Sequence, residues 1–390
     1  MPPANRFRHQ SYTPARPAAP FSTIRPVGGV RPGSGQFRRR MEQVGDEFRD
    51  AGVRAVYLTH GCFVGWDALG VLAELGRTFP DAAQRIRSAV KRAVDSVTGE
   101  WGNYTDRFVW LFESSINRPG SPHVPVRLFD WSGENHHLGR ADGAVRLIHE
   151  LASLDLEPGS RVQLWGHSHA GNVFALLTNL LGSGPEDVER FFQAAEIYYR
   201  WPLAGCVDIP LWSQARQLLL DRPPALDGLK LDIVTFGTPV RYGWDSGGYS
   251  RLLHFVHRRA GIGRPAHRAE FPPRLDDVLN AADGDYIQQL AIAGTNLGPS
   301  LLTWRAWLAD RRLNELLQAN LVADEPLAHF RAGKVVPDEG TTLLVDYGAA
   351  GGGAADQHAG HAVYTAAQWL PFHAEEVSRR FYARARAEAA

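Results

Sequence analysis

Apolar residues fall along this chain in short unbroken runs, with helix-like stretches between them. Arg54-Ala55-Val56-Tyr57-Leu58-Thr59 is one such run and reads as a buried strand. Residues 68–79 follow at helical spacing, with Leu69, Val71, Leu72, Leu75 and Phe79 as apolar positions, and a second helix is expected over 81–98. Pro125 to Trp131 gives the next strand, and Ala144, Leu147, Ile148 and Leu151 mark a helix over 140–154. A strand over 161–165 runs into a helix over 172–181. Further strands are expected from Leu231, over Leu252–His257 and over Thr341–Tyr347, and residues 362–382 close the chain as largely helical. Strands that are apolar throughout, alternating with helices, predict an α/β protein whose mostly parallel sheet is covered on both faces.

Two stretches exceed what a simple crossover needs. Residues 182–230 are rich in aromatics (Phe191, Phe192, Tyr198, Tyr199, Trp201, Trp212), and residues 286–340 carry Leu301, Leu302, Trp304, Trp307, Leu308, Leu313, Leu316 and Leu317 in an amphipathic pattern. Either could form a lid or cap over a site, or pack conventionally on the sheet. Residues 1–41 differ from the rest. They are dominated by Pro, Gly, Ser and Arg, with no acidic residue before Glu42, and read as a disordered basic tail. Residues 42–390 then form one domain.

Composition adds exclusions. Of 390 residues 44% are hydrophobic, enough for a large core. Lys plus Arg and Asp plus Glu are 42 each, so nothing in the charge points to nucleic acid. Fifteen histidines are scattered without metal-ligand spacing, and two cysteines, Cys62 and Cys206, make no disulfide framework. No metal and no cofactor is expected. No apolar run reaches the roughly 18 residues of a membrane span, and no apolar signal segment opens the chain. The expectation is a cytoplasmic protein, with peripheral lipid contact left open.

Chemistry concentrates at Gly166-His167-Ser168-His169-Ala170-Gly171. An expected strand ends there, an expected helix begins, and a serine sits in the small-residue turn between them. That is the layout of a nucleophile elbow, in which a sharp turn lifts one hydroxyl above the sheet. Ala170 stands where the usual pattern has glycine. A serine capping a helix is the simpler alternative. Upstream, His60-Gly61 turns the chain after the first expected strand, where backbone N–H groups could face a developing oxyanion.

These motifs carry a resemblance. The His60-Gly61 turn, the elbow, Thr235-Phe236-Gly237-Thr238-Pro239, the segment from Gly284 to Leu290 and Gly360-His361-Ala362-Val363-Tyr364 resemble the α/β-hydrolase superfamily, in particular lipases and esterases of the class 3 type, over roughly residues 52–382. The resemblance implies an α/β-hydrolase fold and a Ser, acid, His order along the chain. Ser168 would be the nucleophile. His361 would be the base because Tyr364 completes a His-x-x-Tyr pattern, with His358 the rival. Asp285 would be the acid, with Asp283, Asp276, Asp277, Asp245 and Asp346 as alternatives. The oxyanion donors would be the amides of His169 and of Cys62 or Phe63. The implied activity is hydrolysis of a small acyl ester or lipid through an acyl-enzyme. A thioesterase or amidase using the same residues, or a non-catalytic binding protein of that fold, remains open.

Overall fold

A computed structural model describes residues 19–61, 102–154, 156–201, 205–239, 241–259, 266–267, 275–279, 281–290, 297, 303–317, 335–348 and 360–389. In chain order the strands are β1 (Phe21–Ile24), β2 (Val53–Thr59), β3 (Val126–Phe129), β4 (Arg161–His167), β5 (Arg200–Trp201), β6 (Cys206–Val207), β7 (Lys230–Phe236), β8 (Arg251–His257) and β9 (Thr341–Val345). Seven of them form one parallel sheet in the order β1-β9-β8-β7-β4-β2-β3, while β5 and β6 pair as a short antiparallel hairpin. The winding reverses between β2 and β4. From β2 the chain moves outward to β3; from β4 it moves the other way, through β7 and β8 to β9. In open parallel sheets the crevice at the carboxyl ends of the strands at such a reversal is where ligands bind.

The helices are α1 (Gly35–Asp50), α2 (Asp106–Ile116), α3 (His137–Ala152), α4 (Ala170–Gly182), α5 (Pro185–Tyr199), α6 (Pro210–Asp221), α7 (Pro224–Asp227), α8 (Leu275–Leu279), α9 (Tyr286–Leu290), α10 (Trp304–Leu317) and α11 (Leu370–Ala389). Strand residues alternate between two cores, which is why the strands are apolar on both faces. Tyr57, Leu164 and Ile233 point into the core shared with α3, α4, α5, α6 and α10. Val56, Leu58, Trp165, Val234 and Phe255 point into the core shared with α1, α2 and α11. At the opposite end of the sheet from the strand C-termini, the buried Asp232 carboxylate accepts from Arg161 (3.0 Å) and the Tyr382 hydroxyl (2.8 Å), tying α11 to the central strands.

Aromatic residues of the first insertion that suggested a lid are used in packing. Trp212 of α6 is fully buried among Phe191, Phe192, Tyr198 and Tyr199, and its Nε1 donates to Asp142 Oδ1 at 2.8 Å. From the second insertion, α10 packs against α5 of the first and against α3. Its buried face differs from the expected one. Ala306, Ala309, Leu313 and Leu317 turn inward together with Arg305, Asp310 and Asn314, whereas Trp304 is exposed.

Residues 19–41 are not the disordered tail expected over 1–41, and residues 1–18 lie outside the described residues. Residues 21–24 pair with β9, and α1 begins at Gly35, capped by the Ser34 side chain, so regular structure starts well before Met41. The reason is physical. A four-residue edge strand has almost no sequence signal of its own, and its partner lies near the other end of the chain. The helices expected over 68–79 and 81–98 lie outside the described residues.

Candidate functional site

Ser168 follows the last residue of β4, and α4 begins two residues later. Its φ is +56°, the left-handed region that costs a non-glycine residue on the order of 1–3 kcal/mol. Neighbouring groups hold the turn there. The Ser168 N–H donates to Phe236 O (2.8 Å), and the Thr238 hydroxyl donates to Ser168 O (2.8 Å). Both partners come from the end of β7, so the Thr-Phe-Gly-Thr-Pro segment is the clasp of the serine turn. The same clasp explains the small residues after the serine. Ala170 is accommodated fully buried, but a Cβ on Gly171 would lie 2.2 Å from Thr238 Oγ1. The steric requirement for glycine has moved one position along.

β2 ends beside this turn, with Thr59 paired to Gly166. Gly61 presses on the serine: a Cβ there would come 2.7 Å from Ser168 Cβ and 3.2 Å from Oγ. The preceding carbonyl, His60 O, is fixed by the Trp131 indole N–H at 2.8 Å. The His-Gly turn therefore abuts the serine at the topological reversal. Cys62 and Phe63, the expected amide donors of this turn, lie outside the described residues.

The carboxylate and the late histidine come from the other side. Asp285 lies between β8 and α9, fully buried. Its Oδ2 sits 2.7 Å from His361 Nδ1 and accepts from the Tyr364 hydroxyl at 2.9 Å; its Oδ1 accepts from the Gln288 N–H at 2.8 Å. Burial works to raise this carboxyl, but the His361 imidazole and the three hydrogen bonds outweigh it and hold it below the ordinary carboxylate range. A carboxylate acceptor at Nδ1 puts the proton there, so in the neutral ring Nε2 carries the lone pair. His361 Nε2 is buried and, among the described residues, has no hydrogen-bond partner, the Ser168 hydroxyl included. The two residues are linked through His167, which precedes the serine and whose Nε2 lies 3.1 Å from the His361 carbonyl, its ring centroid 4.5 Å from that of His361.

The alternative acids go elsewhere. Asp283 faces Arg258 at 3.8 Å, Asp346 faces Arg259 at 3.4 Å and Arg25 at 3.7 Å, and the Asp245 carboxylate accepts from its own turn at Gly247 N. Asp276 and Asp277 are in the first turn of α8, with Asp276 exposed. His358 lies outside the described residues. Two residues around the pair gain roles here, one from within the Thr-Phe-Gly-Thr-Pro motif and one from outside every motif. Thr238 clasps the serine turn, and His257, the last residue of β8, holds the Asp285 N–H on its carbonyl (3.0 Å). His257 read only as a strand residue, because strand periodicity does not reveal what a carbonyl at the strand end receives.

His169 follows the serine. Its Nδ1 accepts from Asn172 Nδ2 at 3.2 Å and lies 3.5 Å from an Arg140 Nη. Burial, with Arg140 and Arg241 nearby, lowers its pKa well below the usual value, so the ring stays neutral. Among the described residues no group of three or more His, Cys, Asp or Glu is placed to hold a metal ion, and no helix is long and apolar enough to cross a membrane. No protein-family profile, no curated protein and no solved structure matches this chain.

Proposed function

We propose that this protein is a serine hydrolase of the α/β-hydrolase type that cleaves carboxylic esters through an acyl-enzyme. The observation that carries the reading is the strained Ser168 turn at the sheet's topological reversal, adjoined through His167 by the buried Asp285–His361 pair. Strain at a buried residue persists only where its surroundings enforce it, and Phe236, Thr238 and Gly171 all do so here. Ordinary helix capping explains neither that strain nor a carboxylate kept ionised under a histidine whose second nitrogen has no partner among the described residues.

In this reading the chemistry runs in two halves. His361 Nε2 takes the Ser168 proton as Oγ bonds to the ester carbonyl carbon. The carbonyl oxygen becomes negative and is met by the His169 amide and by the amide of Cys62 or Phe63, the donors expected from the sequence. The C–O bond to the alcohol then breaks, and His361 returns its proton to the departing oxygen. Water repeats the sequence on the acyl-enzyme and releases the acid. Asp285 stays ionised throughout and stabilises the imidazolium. The Ser168 hydroxyl and Nε2 close to bonding distance when substrate is bound, as hydrogen bonds at active sites commonly do.

The test is turnover of p-nitrophenyl butyrate and longer acyl esters by the native protein and by Ser168→Ala. The native protein should hydrolyse at least part of the series, and Ser168→Ala should fall to the background rate with its circular dichroism unchanged. Equal turnover by the variant contradicts the serine mechanism. No turnover of oxygen esters, with turnover of the matching thioesters, would move the leaving group to a thiol.

A further inference from the structure

We infer that two buried histidines outside the proposed triad, His167 and His257, form a clamp that positions the backbone of His361. The observation is a pair of contacts on successive carbonyls. His257 Nδ1 lies 3.1 Å from Gly360 O, and His167 Nε2 lies 3.1 Å from His361 O. A carbonyl oxygen only accepts, so each ring donates an N–H, and each tautomer is fixed by that bond. The two rings come from the carboxyl ends of different strands, β8 and β4. They hold the His361 peptide from both sides, at residue 360 and at residue 361.

Other contacts show that these are not incidental packing. His257 is also the anchor of the acid: its carbonyl receives the Asp285 N–H (3.0 Å) and its own N–H donates to the Tyr364 hydroxyl (2.7 Å), which in turn donates to Asp285 Oδ2. One residue therefore fixes the acid, the tyrosine that supports it and the segment bearing the histidine. His167 immediately precedes Ser168, so its bond to the His361 carbonyl joins the serine turn to the histidine segment directly. Both rings remain neutral. Burial lowers His257, and burial with the nearby His361 lowers His167 to about 3. A second cation beside His361 would oppose the imidazolium that forms during proton transfer; a neutral donor ring supplies the hydrogen bond without that charge.

His167 and His257 are positioning residues: they act through His361. The inference deepens the serine-hydrolase reading and rests on it for its kinetic arm, but its spectroscopic arm does not. The substitutions are His167→Phe and His257→Phe, which keep a ring and remove the donor, and His167→Gln and His257→Gln, which restore a donor amide. Each Phe variant should lower kcat for p-nitrophenyl butyrate by about 10- to 100-fold, the scale of a small misplacement of a reacting group, with KM within about twofold. Each Gln variant should recover most of the loss. Independently of turnover, proton NMR of the full chain should show the His361 Nδ1–H downfield of the amides, assigned by its loss in Asp285→Asn. That resonance should broaden or disappear in the Phe variants and return in the Gln variants. If a Phe variant does not fold, the corresponding Met substitution, equally without a donor, takes its place. Unchanged kcat and an unchanged resonance in the donorless variants overturn the clamp, as does equal loss in donorless and Gln variants. A native protein without turnover overturns the hydrolase reading, and the resonance still decides the clamp.

Discussion

Tyr364→Phe isolates one buried oxygen at the centre of the site. The Tyr364 hydroxyl donates to the Asp285 carboxylate at 2.9 Å and accepts the His257 N–H at 2.7 Å, and the side chain is 1% exposed. Removing it deletes one hydrogen bond to a charged group, worth about 1.5–3 kcal/mol, and leaves a buried backbone N–H unsatisfied at a further cost of about 1–3 kcal/mol. The combined loss is about 4 kcal/mol. With an unfolding entropy of about 2.1 cal/mol/K per residue, a 390-residue chain has about 0.8 kcal/mol/K. The Tm should therefore fall by about 5 °C at neutral pH. The sign of the pH dependence follows from Asp285, whose carboxyl is held below its ordinary range. Such a group contributes stability above its unfolded pKa and loses it as pH falls through its folded pKa. The variant depresses Asp285 less, so its deficit should be greatest at neutral pH and should narrow as the carboxylate protonates. Differential scanning calorimetry from about pH 2, below the ordinary carboxylate range, to about pH 8 measures both quantities. A Tm within about 1 °C of the native value at neutral pH, or a deficit that does not narrow in acid, would show that the Tyr364 hydroxyl does not support the Asp285 carboxylate.

Three further outcomes follow from the same geometry. Asp285→Asn should lower kcat by about 10⁴-fold through loss of the proton-holding acceptor at His361, whereas Asp283→Asn, on a residue facing Arg258, should change it by less than about threefold; steady-state kinetics on p-nitrophenyl butyrate separates the two. Gly61→Ala places a methyl 2.7 Å from Ser168 Cβ and should push the His-Gly turn off the serine, lowering kcat by about 100-fold or more as oxyanion contacts are lost, with the circular dichroism spectrum retained. His136 lies 3.2 Å from Glu134 and 3.4 Å from Asp310, and although burial opposes it, these carboxylates raise its pKa to about 9. A raised histidine contributes stability below its unfolded pKa and loses it as pH rises through the folded value, so the native Tm should decline between about pH 6.5 and 9, and His136→Gln should flatten that part of the curve.

The central strands were legible because burial on both faces makes them apolar throughout. β2, β4, β7, β8 and β9 stand within a residue or two of the runs that announced them. The Ser168 turn was legible because its chemistry is local, with strand, small residues, serine and helix contiguous in sequence. The acid and histidine proposed to act with it were not readable in that way. Asp285 and His361 lie 76 positions apart and meet only because β8 and β9 are neighbours in the sheet. Sequence order and resemblance could nominate Asp285, but spacing alone could not prefer it to Asp283. β1 escaped notice because four edge residues take their strand character from β9. In α10 the expected apolar face was displaced because Asp310 is buried as an acceptor, receiving the N–H groups of Leu138 and Leu297, so the inward face carries polar residues that hydropathy assigns to solvent. His167 and His257 show the same limit, since a buried donor ring and a core ring look alike in sequence.

The most direct measurement is the site of covalent capture by a fluorophosphonate, read by intact-mass and peptide mass spectrometry on the native protein. A single adduct on Ser168 is expected, formed with loss of esterase activity in equal proportion and absent in Ser168→Ala. An unlabelled protein, or an adduct on any other residue with Ser168 unmodified, would contradict it.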